Sequence, residues 1–440
     1  MAGMVVKNNM SATNTLNVLN KNHNALQKSL AKVSSGLRIN SAGDDASGYA
    51  IAERMAVQMR SLDQDNKNAQ NGNSMLKVAE GAVANTVEII STLKEKVLNA
   101  ANDTNTDSDR AQIQKELNQM VDQIDDNANV TYNGMYMIDG SKNREIKNAT
   151  YTCLTNQSLA EYLSDGTPVD DTIALTDLED RAGRSLGIHD DDFIQFLYVQ
   201  QGITHPSVQV KVGNNALSDL MGALTGVMSV GSTTSRIGTD ASGNDVYTPD
   251  YRRAITYKAD VAGLDGQISG LTFCVTDSVG NINKSANAIL DNFEETIRAE
   301  NACADNSIVL QTGTKANQAI KVGLSDMRSY ALGLKGKDGT ALNISTQKNA
   351  NAAINVLDMA LQKCLNQQTT IGAVESRLEY TSANIVTGSE NTQASMSTMR
   401  DADMAAEMTE YTKNNVLLQA AQSMLAQANQ NSSSVLSLLQ

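Results

Sequence analysis

Apolar residues near both ends of this chain recur with helical spacing, and those in the middle do not. Leu16, Leu19, His23, Leu26, Leu30, Val33 and Leu37 alternate steps of three and four, a seam that predicts one helix packed on another. The turn-rich Ser41-Ala42-Gly43-Asp44-Asp45 interrupts it. A second run, Met55, Leu62, Ala69, Leu76, Val83, Val87, Ile90 and Val97, keeps one face apolar over a long helix. The stretch Asp103–Asp109 breaks that run, and Ile113, Leu117, Met120 and Ile124 resume it. The far end mirrors the near one. Ile354, Leu357, Leu361, Cys364, Ile371, Leu378 and Ile385 fall on a heptad grid, and Met404, Met408, Tyr411, Leu418 and Leu425 form a separate run.

Proline placement supports this division. The 3 prolines are Pro168, Pro206 and Pro249, so the first 167 and last 191 residues carry none. Both ends can therefore hold long uninterrupted helices. Between their apolar positions lie Asn, Gln, Ser, Thr and Ala rather than dense Glu/Lys pairs. Such helices gain little from ion pairs and depend on packing against partners. Roughly from Lys147 to Asn306 the pattern changes. Short alternating pieces appear at Ser207–Val212 and Leu271–Val275, with turn signals at Asp165-Gly166, Gly213-Asn214 and Ser242-Gly243-Asn244. Helical pieces are predicted at Ala216–Gly226 and Ser285–Glu300. The expected fold is mainly α, with the N- and C-terminal helices paired in one bundle and a mixed α/β insert displayed outward.

Charge and composition remove several functions. The net charge is −14, and there is no Trp and only 4 Phe. A nucleic acid would meet repulsion without aromatic stacking platforms. No run of 18 apolar residues exists to span a membrane, and the N-terminus lacks the apolar core of a secretory signal. Alone, that reads as cytoplasmic. Cys153, Cys274, Cys303 and Cys364 form no CxxC pair or zinc spacing, and read as mostly buried apolar thiols, with one bridge left open.

Candidate chemical motifs fail on their own terms. His23, His189 and His205 are the 3 histidines, and none sits in the His-Glu-x-x-His of a zinc protease. His23, with no second histidine nearby, reads as a tolerated polar seam residue. In His189-Asp190-Asp191-Asp192 consecutive side chains diverge, so the expectation is a solvated acidic turn. Asp103–Asp109 imitates the start of a calcium loop, but Ser108 stands where the loop needs Gly and Gln114 where it needs Glu. Its expected role is a helix connection, with Asp or Ser capping the next helix. Leu334-Lys-Gly-Lys-Asp-Gly lacks phosphate-loop spacing and reads as a turn. No catalytic residue, metal or cofactor is expected.

Longer stretches carry a family resemblance. Leu26-Gln-Lys-Ser-Leu-Ala-Lys-Val-Ser-Ser-Gly-Leu-Arg-Ile-Asn-Ser-Ala-Gly-Asp-Asp-Ala-Ser-Gly-Tyr-Ala-Ile-Ala-Glu-Arg-Met, ending at Met55, resembles the N-terminal signature of bacterial flagellins. Ile371-Gly-Ala-Val-Glu-Ser-Arg, Asp401-Ala-Asp-Met-Ala-Ala-Glu, Ser423-Met-Leu-Ala-Gln-Ala-Asn-Gln and Val435-Leu-Ser-Leu-Leu resemble the C-terminal one. The likeness covers about the first 145 and last 135 residues.

This resemblance implies a coiled-coil inner-tube domain of residues 1–43 with 398–440. It implies a helical outer-tube domain of 44–150 with 307–397, and a variable surface domain of 151–306. A small hairpin is implied from Ile308 to Leu334. The implied role is a structural subunit, exported unfolded through the flagellar type III apparatus, that polymerises into the extracellular filament for motility. Export without a cleaved signal reverses the cytoplasmic reading. Implied partners are further copies of the chain, an export chaperone, the type III apparatus, the filament cap and hook-associated proteins. The assembly residues expected are Leu16, Leu19, Leu26, Leu30, Val33, Leu37, Met404, Met408, Tyr411, Leu418, Leu425, Val435, Leu438 and Leu439.

Many flagellins are also bound by an innate immune Toll-like receptor through Arg-x-Arg-Glu-Leu-small-Val and a returning Glu. Here the corresponding stretch is Thr92-Leu-Lys94-Glu95-Lys96-Val97-Leu98, with Glu116 as the returning acid. Thr92 and Lys96 depart from the motif, so weaker or altered engagement is expected, the alternative being a helix face tuned only for filament packing. The rival readings are a hook–filament junction protein, or an insert with an added enzymatic or sugar-binding role.

Overall fold

Asn9 starts the first helix, its side-chain oxygen accepting the Ala12 N–H at 2.9 Å. Helix α1 (Met10–Ser35) ends where Gly36 takes a left-handed φ of 70° and returns its N–H to Lys32 O. That glycine stops the predicted seam short of Leu37, which forms a bridge to Asp401 outside the helix. Asp45 opens α2 (Ala46–Ala100) by accepting the Ser47 and Gly48 N–H groups. The Gly48 amide, with Ser47, holds its carboxyl below the usual carboxylate range.

The computed structural model describes residues 9–438 except 165, 171, 207–208, 214, 223–225 and 233. Leu439 lies outside them, as do Asp165, Ser207, Val208 and Asn214 of the predicted turns and strand. For Val435 and Leu438 the backbone alone is described.

The break after α2 is built by Thr106 and Arg110. Thr106 and Asp109 form a reciprocal capping box that starts α3 (Asp107–Ala128). The cap is thus a threonine, where Asp or Ser was expected. Arg110 is buried and ties the turn shut, donating to Ala100 O at 2.9 Å and Asn102 O at 3.1 Å.

A two-stranded hairpin, β1 (Thr131–Tyr132) and β2 (Met135–Tyr136), follows. The central insert then supplies β3 (Cys153–Asn156), β4 (Phe193–Gln200), β5 (Ile203–Pro206), β6 (Val210–Lys211), α4 (Leu217–Gly222), β7 (Met228–Ser232), β8 (Arg236–Thr239), β9 (Asp245–Tyr247), β10 (Ile255–Ala259), β11 (Ile268–Thr276), α5 (Lys284–Leu290) and β12 (Phe293–Ile297). One antiparallel sheet runs β12-β3-β10-β7 and another β11-β4-β5, with β6 also on β4. Strands β8 and β9 pair separately. Leu154, Phe196, Leu271, Tyr257 and Phe273 fill the core beneath the sheets, all at 2% exposure or less.

The helix predicted over Ser285–Glu300 is only half formed. Asn283 caps α5, but the chain turns at Asp291 and re-enters the sheet as β12. Phe293, Thr296 and Ile297 suit a strand, and Thr296 shares a hydroxyl contact of 2.8 Å with Thr155 on β3.

Strands β13 (Ile308–Gln311) and β14 (Ala319–Val322) make a further hairpin, shorter than the stretch expected. After α6 (Ser329–Leu332), α7 (Gln347–Arg400) and α8 (Met404–Leu438) complete the chain. The predicted apolar faces of the long helices are inside: Leu76, Val83, Ile90 and Val97 on α2 and Cys364 and Ile371 on α7 show no exposure.

Contacts divide the chain into two units. One holds Met1–Ala69, Gln311–Gln318 and Tyr380–Gln440, the other Gln70–Leu310 and Ala319–Glu379. Within the second, α7 meets the insert through a buried ion pair, Lys363 Nζ to Glu295 Oε2 at 3.1 Å.

Candidate assembly surface

In the first unit α1 and α8 lie antiparallel, and polar side chains fix their register. Asn9 Nδ2 donates to Ala428 O at 3.3 Å, and Asn22 Nδ2 to Leu417 O at 3.2 Å. Asn414 Nδ2 reaches Ser29 Oγ at 3.0 Å, and Lys32 pairs with Glu407 at 3.0 Å. Past Gly36 the chain is held by backbone bonds, Arg38 N to Arg400 O at 2.7 Å and Ala402 N to Gly36 O at 3.0 Å. Arg400 also bonds Glu53 at 3.1 Å and lies over the Tyr49 ring.

This pairing sorts the predicted assembly residues. Leu19, Leu26 and Val33 on α1, with Tyr411, Leu418 and Leu425 on α8, are half-buried, as is Leu37 beyond Gly36. Leu16 and Leu30 on α1 and Met404 and Met408 on α8 stay 43–51% exposed. His23 is exposed beside them, its Nε2 3.1 Å from Gln27 Nε2. Met10, Val18, Val416, Leu417 and Met424 are also exposed apolar positions of these helices. The sequence reading missed them because they fall off the seam spacing. The α1–α8 contact therefore covers one narrow face of each helix and leaves large apolar side chains in water.

The residues aligned with the receptor motif lie in the second unit. Thr92 bonds back to its own helix, its hydroxyl donating to Glu88 O at 3.0 Å. Glu95 is exposed, as is Glu116. Lys96 Nζ pairs with Glu116 Oε1 at 3.0 Å, joining α2 to α3. The lysine that replaces the motif's leucine thus occupies the returning acid.

The insert carries a cleft of about 490 Å³ lined by Gln195, Thr272, Cys274, Asp291, Lys348 and Asn355, among others. Asp291 accepts the Phe273 N–H, and burial pushes its carboxyl up to about 7. Among the described residues no three His, Cys, Asp or Glu side chains converge as metal ligands. His189–Asp192 is a turn, but a less solvated one than expected: Asp192 is buried and accepts the His189 N–H at 2.9 Å, and Asp191 pairs with Lys211 at 2.8 Å. The acid at 192 folds inward because it caps its own turn. The glycine-rich stretch at 334–339 is a turn closed by Gly336 N to Thr340 O at 2.7 Å. Cys153 and Cys364 are buried, Cys274 and Cys303 half-buried, and all four thiols are free.

Comparison with known proteins places these surfaces in context. The bacterial flagellin N-terminal helical region matches residues 6–143, and the bacterial flagellin C-terminal helical region matches 354–439. A flagellin of Clostridium tyrobutyricum is 32% identical over 438 residues, spanning 97% of this chain and 99% of that one. A flagellin of Bacillus subtilis is 28% identical over 456 residues, spanning 99% and 100%. Among solved structures, a flagellar hook-associated protein of Legionella pneumophila aligns over 79% of this chain and 98% of that one. Its identity of 16% and TM-score of 0.33 are too low to carry an argument.

Proposed function

This chain belongs to the bacterial flagellin family, and from that premise we propose how its own residues build the filament. It is a structural subunit of the flagellar filament. In our reading Leu16 and Leu30 on α1, with Met404 and Met408 on α8, are covered by neighbouring copies. Leu19, Leu26, Val33, Leu37, Tyr411, Leu418 and Leu425 first join the two ends of one copy, and Val435, Leu438 and Leu439 extend that surface. The observation that carries this is the exposed apolar side chains beside an α1–α8 contact that leaves them uncovered. A contact of this kind, repeated head to tail without closing, gives an open helical polymer.

The proposal keeps three parts: an inner-tube domain of 1–43 with 398–440, an outer-tube domain of 44–150 with 307–397, and an outward-facing domain of 151–306. It gives the chain no catalytic role. Export unfolded through the type III apparatus, with a chaperone, and contacts with the filament cap and hook-associated proteins at the filament ends belong to the same reading. Its support is the sparse charge on α1 and α8, which leaves them dependent on neighbours for order. Long filaments from seeded full-length monomer, and none from a truncation ending at Met404, are the expected result under the electron microscope. Failure of the full-length chain to extend seeds would favour a junction role instead.

Receptor engagement is proposed to be weaker than for a flagellin with the full motif. Lys96 ties up Glu116, and Thr92 offers no guanidinium. Titrating receptor signalling with monomer should show reduced potency that Lys96→Leu raises. Potency equal to that of a full-motif flagellin would end this reading.

A further inference from the structure

Sulfur chemistry on the paired terminal helices has no part in the account so far. Met10, Met404, Met408 and Met424 are 65%, 43%, 46% and 62% exposed. By contrast, Met75, Met137, Met228, Met327 and Met359 are 6% exposed or less. These four open methionines lie on α1 or α8 among the exposed Leu16, Val18, Val416 and Leu417, whereas Met135, 44% exposed, lies on β2.

We propose that Met10, Met404, Met408 and Met424 are oxidation-sensitive positions along the paired helices of the unassembled subunit, where hydrogen peroxide blocks subunit addition. The inference rests on the reading that copies of the chain cover this surface. The thioether sulfur attacks one peroxide oxygen; the S–O bond forms, the O–O bond breaks, and water leaves after proton transfer. Sulfur loses two electrons and peroxide gains them. The product exchanges a flexible apolar side chain for a polar, stiffer acceptor. Placed against the leucine, valine and methionine side chains that a neighbouring copy would bring, that oxygen loses its water. Unlike a cysteine, a thioether needs no ionisation to react. Burial raises the Cys153 thiol to about 11 and the Cys364 thiol to about 12, which keeps both protonated and inert. Assembly should reverse the exposure, so the finished filament protects what the free subunit presents.

The test treats full-length monomer with hydrogen peroxide, maps sulfoxides by mass spectrometry, and measures seeded extension. In free monomer these four methionines should oxidise faster than Met137, Met228 and Met327; equal rates would overturn the proposal. Extension should fall at least tenfold, and methionine sulfoxide reductase, which leaves oxidised thiols alone, should restore it. Oxidised monomer that extends seeds at the untreated rate would overturn the proposal, as would extension that stays lost once the thioethers return. A Met10→Leu, Met404→Leu, Met408→Leu, Met424→Leu variant should keep extending after peroxide. Inhibition of that variant would place the sensitive group elsewhere; if it cannot extend even untreated, the reductase result decides. Failure of untreated wild-type monomer would instead remove the assembly reading, and this proposal with it.

Discussion

Asp291 shows what single residues hide from the sequence. It terminates α5, accepts the Phe273 N–H, and sits in a largely buried place that raises its carboxyl to about 7. The folded form therefore holds its proton to higher pH than the unfolded chain, whose carboxyl titrates near 4. Its penalty is absent below about pH 4, grows as pH rises, and is fully present above about pH 7. About three pKa units correspond to roughly 4 kcal/mol. Asp291→Asn keeps the acceptor and removes the charge, so it should stabilise the chain at pH 8 by about 2–4 kcal/mol and have little effect at pH 4. Thermal unfolding of both proteins at the two pH values checks this; equal gains at both would refute it. Lys96 was legible as a departure from the receptor motif because the substitution itself is a sequence fact. Its pairing with Glu116 was not, since that needs the α2–α3 turn to bring the helices together.

At the scale of elements, periodicity found the long helices, and proline's absence left them whole. It misjudged Ser285–Glu300, where a helical start and a strand share one stretch and only pairing with β3 decides. Turn chemistry also moved the ends: Gly36 released Leu37 from α1, and Thr106 took the cap of α3. Nothing in the spacing showed that β12 docks on α7 through Lys363 and Glu295, which are 5% and 6% exposed. Burial lowers the Lys363 pKa, with Glu295 opposing. Lys363→Met should cost about 3–5 kcal/mol by leaving a buried carboxylate uncompensated, whereas Lys363→Met with Glu295→Leu should recover most of it. Denaturant unfolding of both variants reads the difference, and equal losses would show that the pair contributes only through packing.

For the whole molecule, the sequence showed that both ends are helical and that they share one seam. It could not show how little of each helix that seam uses. A heptad pattern reports which positions share a helix face, and on α1 it groups the exposed Leu16, His23 and Leu30 with the half-buried Leu19, Leu26 and Val33, so spacing alone could not divide the packed half from the open one. The α1–α8 contact half-buries Leu19, Leu26 and Val33 and leaves Leu16 and Leu30 outside. That division makes a separation of folding from assembly measurable. Leu30 is 51% exposed in the single chain, so Leu30→Ala should spare the fold of the monomer. If a neighbouring copy covers Leu30, the lost burial is about 2 kcal/mol, or about thirtyfold in equilibrium. The most direct measurement is the critical concentration for seeded filament growth of wild type and Leu30→Ala, with circular dichroism of both monomers alongside. The expected result is unchanged monomer spectra and a critical concentration raised about thirtyfold in the variant. Growth of Leu30→Ala at the wild-type critical concentration would contradict the claim that this exposed face is what neighbouring subunits cover.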